Sequence, residues 1–313
     1  MNDIDLRGLV PATVLPMTDD GAIDEPALRS YVRWLLGFDG LKSLAANMDT
    51  GEAPHLSRDE RRRILEIYVE ETRGRIPVLA GISARYTAEA EDLARDATAA
   101  GASGVVVFPI PAFAGDPPPA QLVYDYHSAI ADASGLPVVL FQLQPALAGA
   151  LFTRETLLRL IDIPNVIAIK EASFNAVRFA ETRRILDEAP RRIQLLTGND
   201  TFIYESFVLG ATGALVGFGP VAIAEQIEMF ALLANRRYDE AARINEAVIQ
   251  PLADALFAPP VRNYRARLKE ALRLQGVLPR ATVRRPLLDL DDTEHAAVRA
   301  ALDAVRIAMP AHA

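Results

Sequence analysis

The sequence predicts an α/β protein with a (β/α)₈ barrel (TIM barrel) and a small C-terminal helical appendage. The first observation behind this prediction is a series of eight short runs rich in Val, Ile, Leu and Ala, which is typical of parallel strands buried on both faces. The second is their spacing of about 30 residues, the length of one βαβ unit. The runs are Leu9–Leu15, Lys42–Ala46, Ile76–Ala80, Gly104–Phe108, Pro137–Phe141, Val166–Lys170, Ile193–Thr197 and Gly213–Val216.

Helix start and stop signals lie between these runs. Ser57 and Glu60 form the S-x-x-E pattern of a capping box ahead of an apolar stripe. A second helix is expected to begin at Thr87 and end at Gly101, and a third to open at Thr153. A doubly wound sheet is the structural alternative. The barrel is favoured because no Gly-rich dinucleotide fingerprint follows any predicted strand.

The chain of 313 residues divides unevenly under this prediction. Residues 1–235 hold the eight units, close to the ~250 residues typical of such a barrel. No strand pattern appears in residues 236–313, where helices are expected at 238–256, 261–275 and 291–308.

Composition excludes several classes of function. The net charge of −8, with Arg61–Arg63 as the longest basic run, argues against nucleic-acid binding, which needs a positive face. The absence of cysteine excludes disulfides, thiolate metal sites and cysteine nucleophiles. No apolar run approaches the ~18 residues of a membrane span, and the N-terminus lacks the apolar stretch of a signal peptide. We therefore expect no membrane partner and a cytoplasmic location.

No cofactor is expected either. The histidines lie far apart, without the spacing of metal ligands, and no Gly-rich phosphate loop is present. A metal-dependent enzyme and a nucleotide-binding protein are both disfavoured. The four histidines are His55, His127, His295 and His312.

Lys170 is the main candidate for chemistry, because it ends a predicted strand and functional residues of such barrels lie at the C-terminal ends of strands. Alternation along the strand places Val166, Ala168 and Lys170 on one side. If that side faces the barrel interior, desolvation lowers the pKa of the amine and favours the neutral form that attacks carbonyl groups. The alternative is a lysine whose amine extends into solvent.

Several segments together resemble the dihydrodipicolinate synthase/N-acetylneuraminate lyase family. Ile167–Ser173 is similar to the I-x-I-K-E-[AS] strand of that family. Asp49–Glu52 resembles the end of its Gly-Thr-Thr-Gly-Glu loop. Three further segments match its Thr-Pro-Met, third-strand and Leu-Ser-Gly-Asp-Asp motifs, and the similarity covers roughly residues 6 to 308. These segments are Leu15–Met17, Arg75–Gly81 and Leu196–Asp200.

The resemblance implies a lyase in which Lys170 forms a Schiff base with pyruvate or a related 2-oxo acid. Aldol addition, aldol cleavage and dehydration of a 3-deoxy-2-oxo sugar acid are the expected reactions. It also implies a homo-oligomer, a dimer or a tetramer. Backbone N–H groups at Thr50 and Gly51 are expected to bind the substrate carboxylate. The full set expected to bind substrate is Thr50, Gly51, Phe141, Gln142, Gly198 and Leu215.

Departures from the family pattern argue against dihydrodipicolinate synthesis itself. Phe141 stands where the family places a proton-carrying tyrosine, and it has no hydroxyl. Ile110 and Pro111 replace a pair of tyrosines, and no arginine occurs near Ala146–Ala148. The Thr–Tyr–Tyr proton relay of the family is therefore missing.

Asp49 is the acid that could replace the relay, because it stands where the relay threonine is expected. Burial could raise the pKa of Asp49 into a range useful for a general base. The alternative is a loop cap that accepts backbone N–H bonds. If Asp49 transfers protons, Asp49→Asn should lower turnover ~10²–10⁴-fold while the imine still forms. A second function also stays open, namely a barrel that binds a 2-oxo acid without turnover.

Overall fold

The computed structural model describes residues 4–115 and 117–307. Eight parallel strands alternate with helices, as the sequence predicts, and each strand overlaps its predicted apolar run. The strands are β1 Leu9–Pro11, β2 Leu44–Ala46, β3 Val78–Ile82, β4 Gly104–Val107, β5 Val138–Leu143, β6 Val166–Ala172, β7 Gln194–Thr197 and β8 Gly213–Val216.

The strands form one sheet that curls into a nearly closed barrel. From β2 to β8 each strand pairs with the next one along the chain, and β8 pairs in parallel with β1. Between β1 and β2 the contact is a single bridge from Ala12 to Ala45, supported by a hydrogen bond of 3.1 Å from Thr13 N to the Ala45 carbonyl. The (β/α)₈ prediction is therefore confirmed.

Eight helices surround the strands, and the predicted caps are present. The Ser57 hydroxyl accepts from Glu60 N, and the Glu60 side chain accepts from Ser57 N, which completes the capping box. Thr153 caps its helix by accepting from Thr156 N. The helices are α1 Glu25–Leu35, α2 Arg58–Thr72, α3 Thr87–Ala99, α4 Ala120–Ser134, α5 Arg154–Ile161, α6 Ala176–Asp187, α7 Ile203–Val208 and α8 Ile223–Ala234.

The C-terminal part is helical, as predicted. A π-helical stretch, Asn245–Ile249, joins α9 to α10, so that residues 238–256 form one helical run. The last helix ends at Asp303, so its predicted end at residue 308 is wrong. His312 lies outside the described residues. Division into units at residue 236 stays a prediction. The helices are α9 Tyr238–Ile244, α10 Gln250–Leu256, α11 Tyr264–Leu274 and α12 Asp292–Asp303. In the part of the chain that is described, no helix is long and apolar enough to span a bilayer.

Two apolar cores result from the alternation of side chains along the strands. One lies between strands and helices. The other fills the barrel and includes, among others, Val10, Ala45, Leu79, Val106, Val139, Ala168, Leu196 and Leu215. This second core forms the floor beneath the strand ends.

One detail of the predicted alternation is wrong. Val166 belongs to the outer core rather than sharing the interior with Ala168. The pairing of β5 with β6 shifts register here, from Val138–Val166 to Val139–Ala168, so Ile167 is an extra residue that also packs against the interior. The irregularity changes which face of the sheet the first side chains of β6 occupy. Ala168 and Ala172 still face the barrel interior.

The capping box provides a test of how α2 is stabilised. Ser57→Ala removes the hydroxyl acceptor and is expected to lower the free energy of unfolding by about 1 kcal/mol. The midpoint of urea denaturation measures the effect. Ser30→Ala is the matched control, because Ser30 is an exposed residue inside α1. Equal midpoints for Ser57→Ala and the unchanged protein would contradict the prediction.

Candidate active site

Lys170 lies near the C-terminal end of β6 with its side chain in the barrel interior. Only 7% of the residue is exposed. Its Nζ lies 4.1 Å from the ring centroid of Phe141, the residue paired with it on β5. Phe141 in turn packs edge-to-face against Phe108, with centroids 5.0 Å apart. The predicted inward orientation is confirmed, and the alternative of an amine in open solvent is wrong.

This apolar surrounding determines the state of the amine. Burial lowers the pKa of Lys170 from 10.5 to about 8, although the charges of Asp200 and Asp49 act in the opposite direction. With such a pKa, about one tenth of the amine is neutral at pH 7, compared with well under ~0.1% for an ordinary lysine. Lys170 therefore has the protonation behaviour required of a nucleophilic amine.

Asp200 is a site residue to which sequence reasoning assigned no role. It lies in the turn after β7, is buried, and accepts a hydrogen bond of 2.8 Å from Phe218 N. Burial raises the pKa of Asp200 to about 6, while backbone hydrogen bonds and the charge of Lys170 limit the increase. The available signal was its position in the Leu196–Asp200 segment. The site therefore also contains a carboxylate, Asp200, that interacts electrostatically with Lys170.

Gly198 leaves room for the Lys170 side chain. A Cβ added at Gly198 would lie 2.6 Å from Lys170 Cε and 2.9 Å from Ala172 Cβ. Both distances are too short for carbon atoms that are not bonded. Gly198 was expected to contact substrate, and the structure places it directly against the candidate nucleophile.

Asp49 has partners that the sequence did not indicate. Tyr264 donates its hydroxyl hydrogen to Asp49 Oδ2 at 2.6 Å, and the Arg265 guanidinium donates to the same oxygen. Arg265 Nε also donates to the Asp49 carbonyl at 2.8 Å. These side chains come from the start of α11, more than 200 residues away in sequence.

The pKa of Asp49 is not raised, as the general-base hypothesis supposed it could be. Burial alone would raise it, but the charge and hydrogen bond of Arg265, with the hydrogen bond from Tyr264, outweigh burial and lower the pKa below 3.8. The loop-cap alternative does not describe the carboxylate either, because side chains of α11 hold it. Asp49 is an ionised acceptor at neutral pH.

Thr50 and Gly51 follow Asp49 in the loop after β2. Thr50 is buried, and a Cβ at Gly217 would lie 3.0 Å from its hydroxyl oxygen. The Gly51 N–H donates to the Met48 carbonyl at 3.1 Å. This N–H is therefore already used within the loop, although it was expected to bind a substrate carboxylate.

Gln142 and Leu215 were both expected to bind substrate, but they lie in different parts of the structure. Leu215 lies in the interior core with Phe141. Gln142 is fully buried, donates to Thr182 at 2.8 Å and Glu171 at 3.3 Å, and accepts from Phe152 N. The structure does not bring Gln142 to the Lys170 amine. It helps to hold Glu171, whose carboxylate also accepts from Asn199.

Among residues 4–115 and 117–307, no group of three or more His, Asp or Glu side chains could hold a metal ion. The site is thus an amine in an apolar wall with two carboxylates, one buried and one paired to arginine.

Comparison with known proteins assigns nearly the whole chain to one family. Residues 5–305 match the family described as "Dihydrodipicolinate synthetase family". A 4-hydroxy-tetrahydrodipicolinate synthase from Thiobacillus denitrificans is 33% identical over 301 residues, covering 95% of this chain and 96% of that protein. The corresponding protein from Rhodopseudomonas palustris is 31% identical over 296 residues, covering 95% of each.

Solved structures agree with these matches. A dihydrodipicolinate synthase from Acinetobacter baumannii, complexed with pyruvate, superposes with a TM-score of 0.85 at 28% identity, over 96% of this chain and 99% of that chain. A dihydrodipicolinate synthase variant described as monomeric has a TM-score of 0.87 at 25% identity, over 97% and 98%. A sialic acid aldolase from Ruminococcus gnavus shares the fold, with a TM-score of 0.86 at 23% identity, over 96% of both chains.

The lowered pKa of Lys170 can be measured without any substrate. Acetic anhydride acetylates neutral amines, so the rate constant for labelling Lys170 should rise with pH and be half-maximal at about 8. Peptide mapping by mass spectrometry gives the rate at each lysine. Lys269 is the internal comparison, since it is fully buried in an ion pair with Glu52 and should label slowly in the folded protein. A Lys170 rate that is still rising steeply at pH 10 would contradict the assignment.

Proposed function

Because this chain belongs to the dihydrodipicolinate synthetase family, we propose that it is a lyase that forms a Schiff base between Lys170 and pyruvate or a related 2-oxo acid. The observation that carries the proposal is the buried amine over Phe141, with its pKa lowered to about 8. The pyruvate complex of the Acinetobacter relative supports the choice of substrate class.

The proposed chemistry starts from the neutral amine. Its lone pair attacks the 2-oxo carbon, the carbonyl oxygen gains protons and leaves as water, and a cationic imine forms on Lys170. The apolar wall of Phe141, Phe108 and Ala172 limits access of water to the imine. Asp200, coupled electrostatically to Lys170, is an acid suited to this exchange because its pKa is raised to about 6.

We further propose aldol addition, aldol cleavage or dehydration of a 3-deoxy-2-oxo sugar acid as the overall reaction, rather than dihydrodipicolinate synthesis. The relatives named above carry the synthase name, yet Phe141 offers no hydroxyl at the end of β5. Residues Pro145–Leu147 form a short 3₁₀ turn without a cationic side chain to bind a second carboxylate. The alternative of a 2-oxo acid binder without turnover rests on the same missing hydroxyl.

Assembly and location are part of the proposal. We propose a homo-oligomer, dimer or tetramer, in the cytoplasm. Family membership supports the oligomer, although one structural relative is described as monomeric. The acidic charge and absence of cysteine support the location.

Reductive trapping tests the imine. After incubation with pyruvate and borohydride, peptide mapping should find the reduced adduct on Lys170, because about one tenth of its amine is neutral at pH 7 and the side chain is directed into the barrel. Lys170→Arg should abolish the adduct. Lys42→Arg is the matched control and should leave it unchanged, since Lys42 is 38% exposed and lies 3.9 Å from Asp5 at the opposite end of the barrel. An adduct on Lys42 or Lys269, or none with any small 2-oxo acid, would refute the proposal.

Metal independence is a separate prediction. Imine formation needs only the amine and proton transfer, so dialysis against EDTA should leave both the rate and the extent of trapping unchanged. The same protein without chelator is the control. Loss of trapping that one divalent metal restores would show that the prediction is wrong.

A further inference from the structure

Tyr264 places a hydroxyl against Asp49, in the loop after β2. We propose that Tyr264, from the start of α11, carries the proton moved in the imine chemistry and that Asp49 accepts it. This inference rests on the proposed function and names the proton-transfer group of that site.

A proton carrier is required because an imine by itself changes no carbon–carbon bond. For a pyruvate imine, a C3–H bond must break before a new bond can form at C3. Lys170 cannot take this proton, since its nitrogen is bonded to the substrate. Phe141, the aromatic residue beside the amine, has no group that can bind or release a proton.

The position of the Tyr264 hydroxyl is fixed from several sides. It donates to Asp49 Oδ2 at 2.6 Å, and the Thr50 hydroxyl lies close enough to form a second hydrogen bond that favours the phenolate. The ring stacks on Phe257 with centroids 5.0 Å apart and planes 20° apart. Phe257 reaches the loop after β8, since a Cβ at Gly217 would lie 3.4 Å from its ring. The phenol is therefore placed beside the loops after β2 and β8.

The resting protonation states of Tyr264 and Asp49 are those that a relay needs. Burial and the neighbouring Asp49 raise the pKa of Tyr264 well above 10, so the phenol stays protonated at neutral pH. Arg265 keeps Asp49 ionised and free to accept a proton. At rest, a protonated phenol therefore donates a hydrogen bond to an ionised carboxylate.

The step balances without any further reactant. The C3–H bond breaks, and its electron pair forms the C2=C3 bond while the imine π electrons return to nitrogen as a lone pair. The C3 proton passes to the Tyr264 oxygen as the phenolic proton moves to Asp49. The product is a neutral enamine and a protonated Asp49, which returns its proton to solvent or to the next intermediate. The phenol is never required to exist as an anion.

Hydrogen–deuterium exchange of pyruvate separates this step from imine formation. In D₂O the enamine returns as deuterated pyruvate, so loss of the methyl signal in the proton NMR spectrum reports C3 transfer. Borohydride trapping of parallel samples reports the imine. Tyr264→Phe keeps the ring stacked on Phe257 and should lower exchange ~10²–10⁴-fold, with the final extent of trapping within about twofold of the unchanged protein. Tyr204→Phe is the matched control, because its hydroxyl contacts the Tyr238 carbonyl rather than Asp49.

Asp49→Asn gives an independent second variant. It removes the proton acceptor while preserving side-chain size, and it should also lower exchange with the imine still trappable. Circular dichroism melts confirm that each variant is folded. Exchange at the unchanged rate in Tyr264→Phe overturns the inference and leaves the proposed function intact. Loss of trapping together with exchange in that variant also overturns it, because Tyr264 would then only position the loop. Absence of trapping in the unchanged protein refutes the proposed function and, with it, the inference.

Discussion

The apolar wall around the Lys170 amine is the constraint that organises the site. An ammonium group loses hydration when it enters the barrel, and this loss shifts its equilibrium toward the free base. Every neighbour at the strand ends must be compatible with that burial. Gly198 gives the lysine stem its space, and Phe141 covers it with a ring whose negative face tolerates either protonation state. The charges of Asp200 and Asp49 limit this decrease, so the pKa of Lys170 stays at about 8.

The second determinant is the contribution of α11 to the loop after β2. A carboxylate at a barrel mouth would be a weak candidate for defined chemistry if it were free to rotate in solvent. Arg265 and Tyr264 bind the same oxygen of Asp49 and remove that freedom. The Arg265 contact to the Asp49 carbonyl fixes the backbone as well. The electrostatic state of the strand-end loops is therefore set by residues outside the eightfold repeat.

The sequence predicted the fold and the inward orientation of Lys170, but it indicated neither Asp200 nor the partners of Asp49. Apolar runs and caps are local patterns, and they located all eight strands and the C-terminal helices. Alternation put Lys170 inside, although the register shift at Ile167 has no local signature and made the position of Val166 wrong. The fully bonded amide of Gln142 and the Asp49–Tyr264 contact depend on residues 40 and 215 positions apart. No periodicity encodes such pairs, and for the same reason the sequence did not indicate that Arg265 lowers the pKa of Asp49.

The buried pair of Glu52 and Lys269 has a consequence for how the chain can be divided. Both side chains are fully buried, and Arg284 N adds a hydrogen bond of 2.8 Å to the Glu52 carboxylate. Removing one member of such a pair costs ~3–5 kcal/mol, because a charge is left in an apolar interior without its counterion. A fragment that ends with the eighth βα unit would leave Glu52 in that state, on a loop whose backbone is left-handed at the same residue, with φ of 60°. Gene fusions, circular permutants and truncations of this barrel should therefore keep the terminal helices with it, since α11 supplies the counterion of Glu52.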